Sequence, residues 1–459
     1  MDLDKEVLEY KEYGIELLRK LISYDTVLRE YKKDDEAPFG INNKECLAYL
    51  LSVGEKEGFK SKNIDNYAGH IEFGDGDEIL GILAHLDVVP VTKNEWKTDP
   101  FELVVKNGKL YGRGTQDDKG PLVASFVAMK MLHDEGFKPN KRIRLIAGCD
   151  EESGSRCLER YLEKEKTPDL AFSPDAEFPL IYGEKAIISY DILGQADDII
   201  LEFDAGERYN MVPSVAKMKL SVDLKDEFFK YLNDNNYEGE YKDGTYYAYG
   251  VASHASMPDK GLNAIFILFN FLSKYTDSKI AKFMNKYFLF DNYGKKAGYY
   301  SYDKELGDLT SNVAIFKLQD KKFKMGVNCR CPIDESFEII DKALSNITSE
   351  FGYTYTKPEG SKRHYVDPNS ELVQRLLKAY REVTGDLSDP ITIGGGTYAR
   401  EMKNAVAFGP MKPGKVDCCH ISNEYFEMDD FIDSIKVYYL AIKELSRWDY
   451  VKLKTPKKD

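Results

Sequence analysis

ILGILAHLDVVP, residues Ile79–Pro90, sets the class of the fold. A short aliphatic run without polar alternation, closed by Asp and Pro, describes a strand buried on both faces. GHIEFG (69–74) and RIRLIAGCD (142–150) have the same texture, and a helical stretch from about Pro121 to Glu135 lies between Ile79–Pro90 and the second of them. Upstream, apolar residues at helical spacing (Val7, Leu8, Ile15, Leu17, Leu18, Leu21) predict an amphipathic helix over 5–24. A second helix is expected over about 43–58, ending near Gly58. Strands alternating with helices imply an α/β fold, a mostly parallel sheet with helices on both faces.

The texture changes from about Gly183. Alternating strands such as KMKLSVDL (217–224), aromatic loops (YYAYG, GYYSYD) and isolated helices continue to about His364. The joint TKPEGSKRHYVDP (356–368) then leads into a clean helix near Glu371–Thr384. The chain is therefore read as an α/β domain over 1–182 that resumes over 366–459, with an α+β domain inserted at 183–365. The Tyr- and Lys-rich segment 283–309 matches no motif, and the Lys-rich end VKLKTPKKD (451–459) reads as a solvated tail.

Composition narrows the function. At 459 residues the chain has room for two or three domains of roughly 150 residues. Apolar residues at 42% and charged ones at 31% describe a globular chain and exclude bulk disorder. Lys and Arg total 64 against 78 acids, a formal charge of −14, which argues against a nucleic-acid partner. No apolar run approaches the ~20 residues of a membrane span, so no membrane partner is expected; AIFILFNFL (264–272) reads as a buried helix. The opening MDLDKEVLEY has no apolar core of a secretory signal. Seven cysteines, none in a C-x-x-C pair, fit reduced thiols in a cytoplasmic protein.

Chemistry-bearing residues gather where predicted strands end. His85 and Asp87 lie two apart at the end of Ile79–Pro90, so their side chains can meet, and a carboxylate beside a ligating imidazole fixes its tautomer. YGRGTQDDKGP (111–121) opens a helix with Asp117 and Asp118; a helix cap accounts for one aspartate but not both. RIRLIAGCDEESGS ends in Asp150, Glu151 and Glu152, adjacent acids that repel unless a cation or a strongly polar surround separates their roles. LAFSPDAEFP (170–179) places Asp175 after a fourth strand, and GKVDCCHISNEYF (414–426) supplies His420 from the returning segment. Cys418 and Cys419 adjoin it, but adjacent residues rarely ligate one ion, and buried thiols are the simpler reading. Each signal alone has a bland alternative: a strand-end histidine, a turn aspartate, a charged surface loop. Together, hard oxygen and imidazole donors at successive strand ends suit Zn²⁺, Mn²⁺ or Co²⁺.

The ordered set H-x-D, G-R-G-x-x-D-x-K-G, D-E-E, S-P-D and a late His resembles the two-metal exopeptidases of the aminoacylase and carboxypeptidase G family, and GRGTQDDKGP, DEES, FSPDAEFP and GGGTYAR look most like its peptidase V dipeptidases. The resemblance implies a catalytic domain with an inserted lid and two divalent ions, Zn or Mn. His85 and Asp175 would hold one ion, Glu152 and His420 the other, and Asp117 would bridge them. Asp87 would orient His85, and Glu151 would be the general base. In the lid, Asn210 (in RYNMVPSVA) and His254 (in GVASHASMPDKGLNA) would stabilise an oxyanion. Arg330, in VNCRCP, would grip a substrate carboxylate, with Gly394, Gly395, Gly396, Thr397 and Arg400 lining the same pocket. Without the resemblance each of these lid residues has a structural reading: a turn Asn, a loop His, a strand-surface Arg. The implied activity is hydrolysis of dipeptides with a free C-terminal carboxylate by metal-activated water. The enlarged lid implies a monomer. An N-acyl or N-succinyl amino acid deacylase on the same centre is the alternative. A two-metal phosphodiesterase would need more basic groups near the site, and an inactive binding protein would have no use for Glu151.

Overall fold

A computed structural model describes residues 2–448; the tail 451–459 lies outside them. The chain divides into two compact units. One takes in the residues up to Tyr182, Tyr365–Ile391 and those from Thr397 on; the other comprises Gly183–His364 with Thr392–Gly396.

The first unit is built on a sheet whose strands lie in the order Lys60–Ile64, Ala68–Phe73, Arg142–Gly148, Ile79–His85, Leu170–Ser173, Ala405–Ala407 and Ile181–Glu184. The middle of it is parallel: Ile79–His85 pairs in parallel with both Arg142–Gly148 and Leu170–Ser173, and Ala405–Ala407 continues in the same sense. Antiparallel pairs close the two sides. Every residue of Ile79–His85 is buried, so both faces are covered, as the unbroken aliphatic run requires. Helices Leu3–Ile22, Lys119–Asp134, Glu371–Thr384 and Met428–Arg447 pack among themselves, and Ile41–Lys56 packs on the strands Lys60–Ile64 and Ala68–Phe73. The second helix thus stops at Lys56, and Gly58 takes a left-handed φ of 87° just beyond it. Ile82 and Leu83 are fully buried, and truncating either to Ala removes about 2–5 kcal/mol. Among the described residues no helix is long and apolar enough to cross a membrane.

The second unit carries an antiparallel sheet in the order Glu238–Lys242, Thr245–Tyr249, Val215–Leu220, Ile200–Ala205, Thr310–Gln319, Lys322–Cys331, Ala186–Gln195 and Thr354–Tyr355. Burial alternates along Ala186–Gln195 and Val215–Leu220, so one face is apolar and the other polar. The apolar residues join the helices Ala264–Tyr275, Lys279–Tyr287 and Ser336–Phe351 in one core, where Phe203 stacks on Phe269 at 4.8 Å between centroids. Asn263 caps Ala264–Tyr275 by accepting from the Ile265 amide, and it donates to the Val313 carbonyl across the core. The segment 283–309 belongs to this core. Phe283, Phe288, Leu289, Tyr299 and Leu309 are buried in it, and the Tyr299 hydroxyl joins Tyr190 and Ser311.

Candidate metal centre

The carboxyl ends of the parallel strands bring a set of acids and imidazoles together. The donor atoms of His85, Asp117 and Asp175 lie within 4.8 Å of one another, and so do those of Asp117, Glu152 and His420. Asp117 is common to both sets and divides its oxygens between them. Its Oδ1 lies 3.0 Å from His85 Nε2 and its Oδ2 lies 2.9 Å from His420 Nε2. Asp175 Oδ2 is 3.5 Å from His85 Nε2, and Glu152 Oε1 is 3.2 Å from His420 Nε2.

Local structure aims each group. His85 ends its strand fully buried, with Nδ1 facing two oxygens of Asp87: the backbone carbonyl at 2.9 Å and the carboxylate at 3.5 Å. Those acceptors place the ring proton on Nδ1, so Nε2 presents a lone pair to Asp117 and Asp175. That buried Nε2 has no hydrogen bond, which is the condition a cation among the three groups would relieve. Asp87 therefore orients His85 chiefly through its main chain. Its carboxylate has a second task, accepting the amides of Glu151 and Glu152 at 3.0 and 3.1 Å, which fixes the turn that carries both acids. Asp150 stays out of the cluster and pairs with Arg156, Nε to Oδ2 at 2.6 Å.

Asp118 occupies the N-cap position of Lys119–Asp134 but makes no side-chain cap bond. The capping expected of one of the two aspartates is thus absent; Asp118 Oδ2 instead accepts the His85 amide at 3.1 Å. The Asp117–Asp118 peptide is cis. Lys119 is buried, its ammonium donating to the Leu21 and Tyr24 carbonyls and tying the turn to the first helix. Cys418 is buried, with its thiol donating to the Gln116 side chain, and Cys419 is half-buried.

The protonation pattern reflects crowded negative charge. Burial, then Asp175, pushes the Glu151 carboxyl well above the usual range, and burial with Asp117 pushes Glu152 up to about 7. Burial, then Asp175, also raises Asp118. Burial opposes charge on His420, but Asp117 and Glu152 outweigh it and raise the imidazole to about 11. Burial acts against charge on His85 as well, and Asp175 and Asp117 push its pKa well above the ordinary value. The surrounding carboxylates thus favour positive charge at both imidazoles, and a cation among them would supply that charge in place of protons. Zn²⁺ and Mn²⁺ accept this donor set of two imidazoles and three carboxylates, with no thiolate needed.

Glu424 was not singled out from the sequence. Its fully buried carboxylate accepts from Arg113 Nη1 at 2.8 Å and from the amides of Gly114, Gln116 and Asp117 at 3.0, 2.8 and 3.2 Å.

In the second unit the expected residues also converge. Met211 and His254 form a β-bridge, and the Ala255 amide donates to the Asn210 carbonyl at 2.9 Å. The Ser256 amide donates to His254 Nδ1 at 3.2 Å, which leaves the ring proton on Nε2. Gly394 packs on Ser256 so closely that an added Cβ would lie 2.6 Å from the Ser256 Cβ. Its carbonyl accepts from Arg330 Nη1 at 2.8 Å, while Arg330 Nε donates to Asn328 Oδ1 at 2.8 Å. Gly395 and Gly396 follow in the same unit. Thr397 and Arg400 belong to the first unit, where the Thr397 hydroxyl caps the short turn Tyr398–Glu401. Cys329 and Cys331, which flank Arg330, are buried.

Known proteins resemble this chain along most of its length. The profile described as Peptidase family M20/M25/M40 matches residues 81–444. A Staphylococcus epidermidis protein named "Putative dipeptidase" is 37% identical over 464 residues, covering 96% of this chain and 98% of that one. The "Putative dipeptidase YtjP" of Bacillus subtilis is 37% identical over 467 residues, with 97% and 100% covered. Among solved structures, human carnosine dipeptidase 1 shares the fold at a TM-score of 0.60 and 14% identity, covering 97% of this chain and 98% of that one. The chain belongs to peptidase family M20/M25/M40 and is a metallopeptidase.

Proposed function

We propose that this peptidase is a metal-dependent dipeptidase that cleaves dipeptides bearing a free C-terminal carboxylate. The observation that carries the reading is the sharing of Asp117 between two donor sets, His85 with Asp175 and Glu152 with His420. These residues would hold a pair of Zn²⁺ or Mn²⁺ ions, which would supply Lewis acidity to the scissile carbonyl and to the attacking water. Glu151 is the general base: a carboxyl raised by burial and by neighbouring acids takes the proton from water at its carboxylate oxygen and delivers it to the leaving amine. His254, with its proton on Nε2, and Asn210 donate to the oxyanion. Arg330, its guanidinium plane fixed by Asn328 and Gly394, takes the substrate carboxylate. The names of the relatives support the dipeptide as substrate. The reading includes a cytoplasmic monomer, supported by seven unpaired cysteines for the first point and by the long inserted unit for the second.

The test is a dipeptide panel run on chelator-stripped and reconstituted protein, beside N-acyl and N-succinyl amino acids. The reading expects loss of activity on stripping, recovery with Zn²⁺ or Mn²⁺, and faster turnover of Ala-Ala-type dipeptides. Faster turnover of the acylated amino acids assigns a deacylase instead, and indifference to chelation removes the centre.

A further inference from the structure

We infer that Glu424 is a positioning residue that sets the shared donor Asp117 and the second-site donor His420 at their working geometry. The inference rests on the two-ion reading above.

His420 and Asp117 come from segments far apart in sequence, and neither is held by regular structure. Asp117 follows the turn Gly112–Gln116, and His420 sits in a loop with a left-handed φ of 64°. Four residues beyond His420, the Glu424 carboxylate reaches back and gathers the Gly114, Gln116 and Asp117 amides. One side chain thereby fixes the backbone of one donor and anchors the loop that bears the other. Arg113 supplies the opposite charge that a buried carboxylate requires, 2.8 Å away and itself buried, with its guanidinium 5.3 Å from the Trp96 ring centroid. The loop is tied at a second place: Asn423 accepts the Lys97 amide and donates to the Glu95 carbonyl, and the Ser422 hydroxyl donates to Glu95. The first donor set meets this strut only at Asp117, since His85 is fixed by Asp87 and by its strand.

The two ions should therefore respond unequally to loss of this strut. Stripped protein is titrated with Co²⁺ and followed by calorimetry and by the ligand-field absorption of each ion. Wild type takes up two ions. In Glu424→Ala the affinity for the second falls by about 10- to 100-fold, the usual cost of removing a group that orients a ligand, while the first, supported by Glu424 only at Asp117, falls by a smaller factor, below about tenfold. Glu424→Gln keeps the shape and part of the amide contacts, so it falls between the two and guards against a poorly folded alanine variant. A folded variant that binds both ions as wild type does overturns the inference alone. Equal loss of both ions with a lowered melting temperature overturns it too, because that marks a general stabilising role. A wild-type protein that takes up fewer than two ions overturns the reading beneath it, before any variant is made.

Discussion

The two units handle buried polarity in opposite ways. In the first, Asp117, Asp118, Glu151, Glu152 and Asp175 crowd around two imidazoles, and burial with mutual repulsion pushes most of these acids upward. His85 Nε2, buried among them, lacks a hydrogen bond. In the second unit the polar groups already have partners: Arg330 bonds to Asn328 and Gly394, and His254 bonds to Ser256. One cluster is completed by added positive charge, whereas the other is a set of donors already oriented. Catalysis in this account needs both: the first to activate, the second to hold and to stabilise developing negative charge.

The largest effect expected from breaking that contrast is at Glu151. Glu151→Ala should keep the fold and the ions and lose at least about a hundredfold in kcat, the order typical of a missing general base; a variant at wild-type rate contradicts the role. Next is Arg330→Lys, which keeps the charge but loses the planar fork. KM for dipeptides should rise about tenfold with kcat little changed, measured by steady-state kinetics. Smaller is Ser256→Ala, which removes the hydroxyl beside His254 Nδ1 but keeps the amide contact; kcat should fall by roughly fivefold or less.

The same contrast has a pH signature. Glu152 and His420 both have folded-state pKa values above the ordinary ones, about 7 against 4.5 and about 11 against 6.5, so the folded protein binds more protons than the unfolded chain in those windows. Their contribution to stability is present at low pH and is lost as pH rises from 4.5 to about 7 for Glu152, and from 6.5 to about 11 for His420. The metal-free protein should lose melting temperature between about pH 6.5 and 9, and a divalent ion, which replaces those protons, should restore more as pH rises. An ion-induced gain that shrinks over that range contradicts the account.

Much of this was legible in the sequence because it lies where the signals are local. The unbroken aliphatic run Ile79–His85 announces a strand buried on both faces, and donors at the ends of such strands converge by the topology of a parallel sheet. What was not legible depends on contacts between distant segments. Glu424 stands in the polar run SNEYF with no period and no motif, and its use is visible only against the amides of 114–117. Asp118 at a helix start reads as a cap, yet its carboxylate is drawn to the His85 amide. The segment 283–309 hides its core residues among Tyr and Lys, and its packing, the buried Tyr190–Tyr299–Ser311 chain included, is visible only in the folded chain.

The most direct test is a crystal of the protein grown with Mn²⁺ or Zn²⁺, read by anomalous scattering at that metal's edge. The account predicts two peaks about 3.5–4 Å apart on either side of the Asp117 carboxylate, one reached by His85 and Asp175 and the other by Glu152 and His420. A single peak, or ions that leave Asp117 unligated, would contradict it.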